Sequence, residues 1–197
     1  MIRRLLGELV DRLRLPTGTE LHAVRGFRVL VENSRPDIAT ADVLQRLDEA
    51  LALIERHQPW RLAHLRRDVK QFWVVRFPCR GAYFPDERTC MTELTFLARR
   101  DITAAPVASS ILHEGVHARV DRMGVQRAGR DRAKEERLCR RAELAFGRAL
   151  PPALGAPVVE RALDSLALDD VEVAPEVDWS EAARRQAAVD EAARDGR

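Results

Sequence analysis

The stretch "ILHEGVHARV", residues 111–120, contains two histidines four positions apart, with a glutamate directly after the first. On an α-helix, positions i and i+4 lie on one face, so His113 and His117 can direct imidazole nitrogens at a common point. Two imidazoles in this arrangement supply two of the ligands that zinc takes from a protein. Glu114 would lie beside the metal without binding it, where it can remove a proton from water activated by zinc. The motif predicts a metal clamp with a general base.

The same motif has an alternative interpretation, in which the two histidines are exposed on an ordinary helix and Glu114 is a solvated charge. The residues around the motif argue against this alternative, because "APVASSIL" precedes it and Val116 and Val120 lie within and after it. Polar groups on a largely buried helix need partners. We therefore favour the metal site.

A catalytic zinc has three protein ligands and an open position, so a third ligand must come from elsewhere in the chain. The segment "AKEERLCRRAELAFGRAL", residues 133–150, offers Glu135, Glu136 and Glu143. A tight turn over 124–129 would fold this segment back against the histidine helix. On a helical wheel Glu135 falls on the apolar face, whereas Glu136 shares the flank with Glu143. Burial thus favours Glu135, and the residues alone leave the choice open.

Together, the motif His113-Glu114-x-x-His117 and the 18 residues between His117 and Glu136 resemble the gluzincin metallopeptidases, zincins with two histidines and a glutamate on zinc. The resemblance covers roughly residues 70–150, and its specificity lies in the first motif. It implies that His113, His117 and Glu136 bind Zn²⁺ and that Glu114 is the general base. The implied function is zinc-dependent hydrolysis of peptide bonds in a peptide or protein substrate. The alternative is a catalytically silent protein that keeps the zincin fold and binds metal or a partner.

The same resemblance implies an edge strand above the cleft, to which an extended peptide adds itself as a further strand. Residues 88–98 are our candidate for this strand. Tyr83, the only tyrosine, lies shortly before them; it could donate to an oxyanion, but we favour the alternative that it packs in the core or on the surface.

The pattern of apolar residues predicts an α+β fold. The resemblance implies that this fold is of the zincin type, with a small β-sheet packed on the HExxH helix and on a following helix that donates the third ligand. Apolar runs predict strands at 27–32 and 71–77, in addition to 88–98. Helical periodicity predicts helices over 2–14, 40–58, 106–124, 130–149 and from 178 onwards. We expect residues 1–150 to form the metallopeptidase domain, with N-terminal helices, and residues 151–197 to form a C-terminal helical extension.

The composition limits the classes of partner. The chain has 197 residues, and its 33 basic and 31 acidic side chains leave a net charge of +2, so we expect no nucleic-acid partner. No apolar run is long enough for a signal peptide or a membrane span. The three cysteines are odd in number and widely spaced, which favours a reducing compartment and predicts a cytoplasmic location.

Overall fold

A computed structural model describes residues 18–124, 131–176 and 178–194. The fold is mixed α+β, as the sequence predicts. The strands are β1 (Thr19–Val24), β2 (Phe27–Glu32), β3 (Gln71–Val75), β4 (Gly81–Phe84) and β5 (Thr89–Glu93). The helices are α1 (Thr40–His57), α2 (Pro59–Asp68), α3 (Leu94–Ala98), α4 (Ala104–Arg122), α5 (Arg132–Ala149), α6 (Pro152–Ala167), α7 (Asp170–Val173) and α8 (Trp179–Arg194). The predicted helix over 2–14 lies outside the described residues.

The five strands form one sheet in the order β1-β2-β3-β5-β4. Strands β1 and β2 form a hairpin, whose turn residues Arg25 and Gly26 both have positive φ, as a tight two-residue turn requires. Strands β2, β3 and β5 run parallel, whereas β4 runs antiparallel to β5. Strand β4 is therefore an edge of the sheet.

The predicted edge strand over 88–98 is wrong in two respects. The strand ends at Glu93, because the Glu93 side chain accepts a hydrogen bond from the backbone N–H of Phe96 at 2.7 Å and so caps helix α3. Strand β5 is also an inner strand, flanked by β3 and β4, and all five of its residues are buried. The edge position beside β5 belongs to β4, whose residues are all partly exposed.

The core lies between the sheet and the helices. Helix α1 buries Val43, Leu47, Ala50, Leu51 and Ile54 and packs on α4, and α4 also contacts strands β4 and β5. Helices α4 and α5 begin at side-chain caps, where Thr103 and Asp131 accept backbone hydrogen bonds. They match the predicted helices over 106–124 and 130–149 to within two residues at each end. No helix in the described ranges is both long and apolar enough to cross a membrane.

Helices α5 and α6 approach each other at two glycines. A Cβ atom added to Gly155 of α6 would overlap the carbonyl oxygen of Gly147 on α5, and a Cβ on Gly147 would lie 2.9 Å from the Val159 side chain. The absence of side chains at both positions lets the two backbones touch. This contact helps to position α5.

We expect Gly155→Ala to lower the free energy of unfolding by about 3 kcal/mol, the upper end for overpacked cores. Helix propensity alone predicts the opposite result, because alanine stabilises a helix by about 1 kcal/mol relative to glycine. A loss of stability would therefore indicate the steric overlap. Urea denaturation measures it. Ala156→Gly, on the exposed side of the same helix, is the control for helix propensity and should cost about 1 kcal/mol. Unchanged or increased stability in Gly155→Ala would contradict the close helix contact.

Candidate metal centre

The two histidines of the motif and Glu136 meet between helices α4 and α5. His113 and His117 lie one turn apart on α4, with ring centroids separated by 5.0 Å. The Nε2 atom of His113 lies 3.2 Å from one carboxylate oxygen of Glu136, and Nε2 of His117 lies 3.5 Å from the other. The structure therefore brings together the three residues that the resemblance implies as zinc ligands.

The other two glutamates on α5 hold the opposite nitrogens of the same rings. Glu143 accepts a hydrogen bond from Nδ1 of His113, and Glu135 accepts one from Nδ1 of His117, both at 2.7 Å. An ionised carboxylate can only accept, so each Nδ1 carries a proton and a neutral ring presents the lone pair of Nε2. Carboxylates orient metal-binding histidines in this way.

The three glutamates that the sequence left as alternatives thus occupy two different positions. Glu136 faces the Nε2 atoms, while Glu135 and Glu143 lie behind the imidazoles. The flank of α5 that carries Glu136 and Glu143 is turned towards α4, and Glu143 is only 1% exposed. Burial alone was therefore a poor guide to which glutamate faces the Nε2 atoms.

Glu143 is the centre of a buried hydrogen-bond network. Its Oε1 accepts hydrogen bonds from His113 and from Nη1 of Arg140, and its Oε2 accepts one from the Ser109 hydroxyl at 3.0 Å. Burial opposes ionisation of Glu143, but the hydrogen bond from His113, together with the positive charges of His113, Arg140 and Arg161, holds the pKa of Glu143 below the ordinary value. Ser109 was not predicted from the sequence; the available signal was a hydroxyl one turn before His113 on an apolar helix.

Cys139 is a further candidate ligand that was not predicted from the sequence. Its Sγ atom lies 3.5 Å from Nε2 of His117, and the ligand atoms of His113, His117 and Cys139 all lie within 4.8 Å of one another. The spacing Glu136-x-x-Cys139 was the available signal, because residues three apart share a helix face.

The ligand atoms of His113, His117 and Cys139 could hold a metal ion, and their separations are compatible with zinc without being specific to it. Zn–N, Zn–O and Zn–S bonds of about 2.0 to 2.3 Å in a tetrahedral site place ligand atoms roughly 3.3–3.6 Å apart. The contacts of 3.2, 3.5 and 3.5 Å between the Nε2 atoms and the Glu136 and Cys139 donors are close to these separations. The donors that surround zinc in proteins are imidazole, carboxylate and thiolate.

The surrounding carboxylates also favour positive charge on the two histidines. Burial opposes protonation of His113, but its hydrogen bonds to Glu136 and Glu143 raise its pKa to about 10. The pKa of His117 is likewise raised, by Cys139, Glu135 and Glu136, against the effect of burial. In the absence of a metal ion, one extra proton on each histidine supplies positive charge to the site. A divalent cation bound to the Nε2 atoms would supply that charge instead.

Glu114 lies on the side of α4 that faces strand β4. It is 7% exposed and accepts no hydrogen bond from any residue that the structure describes. A Cβ atom on Gly81 would lie 3.0 Å from Oε1 of Glu114, so the carboxylate reaches the edge strand. Burial raises the pKa of Glu114, which makes its carboxylate a stronger base.

A cavity of about 680 Å³ opens above these residues. His113, Glu114, His117 and Glu136 lie in its floor, and Gly81 and Tyr83 of β4 line one wall. The Tyr83 hydroxyl is buried and has no hydrogen-bond partner among the described residues. The cavity therefore joins the candidate metal ligands, the candidate base and the edge strand in one cleft.

The chain matches no protein-family model, and comparison with curated proteins and with solved structures gives no significant match. The resemblance to the gluzincins consequently rests on the motif and its spacing in this chain.

We expect Glu143→Gln to weaken zinc binding by about 10- to 100-fold, although Glu143 does not face the Nε2 atoms. The amide cannot stabilise the Nδ1 proton of His113 as a carboxylate does. Competition with a chelator of known affinity measures the change. Glu160→Gln, at an exposed position on α6, is the matched control. Equal zinc affinities for the two variants would rule out this orienting role.

Proposed function

We propose that the protein is a zinc-dependent peptide-bond hydrolase with a zincin-like fold, in which His113, His117 and Glu136 bind Zn²⁺. The observation that carries the proposal is the convergence of both Nε2 atoms on Glu136 while each Nδ1 is held by another carboxylate. When bound, zinc supplies Lewis acidity, which polarises a carbonyl group and acidifies water.

Glu114 acts as the general base in this proposal. Its carboxylate is buried beside the histidines and accepts no hydrogen bond from a described residue, so it is available to a water molecule. It removes a proton from the attacking water and then transfers that proton to the nitrogen of the leaving amine. The raised pKa of Glu114 supports both steps, since the group must bind the proton and later release it.

The edge strand β4 is the proposed docking site for an extended peptide. Among the described residues β4 pairs only with β5, so its outer edge can hydrogen-bond to another strand. The close approach of Gly81 to Glu114 would bring such a peptide to the base. The partnerless Tyr83 hydroxyl is a candidate donor to the oxyanion that forms on the peptide carbonyl. The proposed substrate is thus a peptide or protein. The cytoplasmic location stays a prediction.

A second candidate function is a catalytically silent zincin-fold protein that binds metal. The observation that favours it is Cys139, whose Sγ atom lies as close to His117 as Glu136 does. Four protein donors would close a zinc site, and closed sites are structural, whereas catalytic sites keep one position open. The role of Cys139 therefore separates the two candidates.

We expect Glu114→Gln to lower peptide hydrolysis by about 10²- to 10⁴-fold and to retain its zinc, because the amide cannot take a proton. Mass spectrometry of a defined peptide mixture measures cleavage, and elemental analysis measures zinc. Glu87→Gln, exposed between β4 and β5, is the control and should cleave like the wild type. A zinc-loaded wild type that cleaves no peptide, or equal cleavage by Glu114→Gln, would argue against the hydrolase.

We expect Cys139→Ser to retain about one zinc per chain, because in the proposed site the third protein ligand is Glu136 and not Cys139. Cobalt substitution gives an independent measurement, because a thiolate ligand produces a charge-transfer absorption band. The cobalt-loaded wild type should lack this band, and Glu136→Ala should lose the metal. A band in the wild type that disappears in Cys139→Ser, with weaker zinc binding, would support the closed site instead.

A further inference from the structure

We propose that Arg161 and Arg80 form a carboxylate-binding subsite in the cavity, which selects peptides that carry a carboxylate close to the bond to be cleaved. The proposal rests on the proposed function, since it assigns a substrate class to the same cleft. Arg161 comes from α6, and Arg80 directly precedes β4. Both line the cavity that contains the histidines.

Arg161 forms no close ion pair in the part of the chain that the structure describes. Its guanidinium makes no hydrogen bond or ion pair with any residue in the described ranges. The nearest candidate, Glu143, already accepts hydrogen bonds from His113, Arg140 and Ser109. Both oxygens of Glu143 are thus engaged, and Arg161 is left for a ligand.

The surroundings of Arg161 disfavour an uncompensated positive charge. Burial lowers the pKa of Arg161 most strongly, and the positive charges of Arg80 and Arg140 lower it further, although Glu143 opposes them. An unpaired charge that is partly removed from water costs folding free energy. Such a cost is typical of a binding site, where the ligand supplies the missing partner.

Arg80 and Arg140 supply further donors in the same cavity. The Arg80 guanidinium is exposed and makes no ion pair with a described residue, and it lies 5.3 Å from the centre of the Phe96 ring. The Nε atom of Arg140 is buried without a hydrogen-bond partner in the described part of the chain. The planar guanidinium group matches the two oxygens of a carboxylate, which makes carboxylate the ligand we infer.

A peptide carries a carboxylate either at its C-terminus or on an acidic side chain. Arg161 lies close enough to Glu143 for their charges to interact, and Glu143 contacts the candidate ligand His113. An extended peptide advances about 3.3 Å per residue along a strand. The carboxylate is therefore expected within a few residues of the cleaved bond.

The test measures binding of matched peptides to the zinc-loaded Glu114→Gln variant by calorimetry, and cleavage of the same peptides by the wild type. One pair differs only in a free or amidated C-terminus, and another pair, both amidated, differs only in glutamate or glutamine. We expect at least one pair to show about tenfold or greater preference for the carboxylate. Arg161→Gln and Arg80→Gln should remove it, whereas Arg148→Gln, exposed on α5, should keep it.

Thermal unfolding separates a binding role from a structural one. Removal of an unpaired, partly buried charge should leave the melting temperature of Arg161→Gln equal to or above that of the wild type. A large decrease would indicate a structural arginine. Absence of any carboxylate preference, or its persistence in Arg161→Gln, would overturn the subsite.

The same experiment distinguishes failure of the subsite from failure of the hydrolase. Carboxylate-selective binding without cleavage by the wild type would support the subsite and refute the hydrolase. Cleavage without carboxylate preference would support the hydrolase and refute the subsite. No binding and no cleavage would refute both.

Discussion

The orientation of two histidines by two glutamates, the buried Glu143 and the half-buried Glu135, is the constraint on which the candidate site depends. Glu143 and Glu135 hold the Nδ1 atoms of His113 and His117 by hydrogen bonds. Without these bonds the two rings could rotate, and their Nε2 atoms would no longer face the same point. These two glutamates and Glu136 all come from α5, so the site requires α5 to lie against α4 in one register. The glycine contact between α5 and α6 helps to fix that register.

The charge balance of the site explains why such a polar network can exist in a core. Four glutamates line the cavity around two imidazoles, and Arg140 is paired with only one of them. Buried charges are costly unless they are compensated, and here the compensation is either protons on the histidines or a bound cation. Because the protonated rings would have to lose the Nε2 protons to bind zinc, metal binding should release protons.

The sequence predicted the locally encoded parts well. Helices α4 and α5 follow from apolar periodicity and capping residues, which act within one or two turns. The roles of Glu135, Glu136 and Glu143 could not be predicted, because they depend on how α5 is rotated against α4. The edge strand was assigned to 88–98 rather than β4 because strand order is set by non-local pairing. Arg161 gave no signal, since it lies 44 positions after His117 and reaches the cavity only through helix packing.

The central claim is that one divalent metal ion lies between His113, His117 and Glu136. Crystals of the zinc-loaded protein, with diffraction data collected above and below the zinc absorption edge, would test it most directly. The account predicts one anomalous peak within about 2.0 to 2.2 Å of both Nε2 atoms and of a Glu136 oxygen. No peak at this position in protein that contains zinc, or a peak bound by other residues, would contradict it.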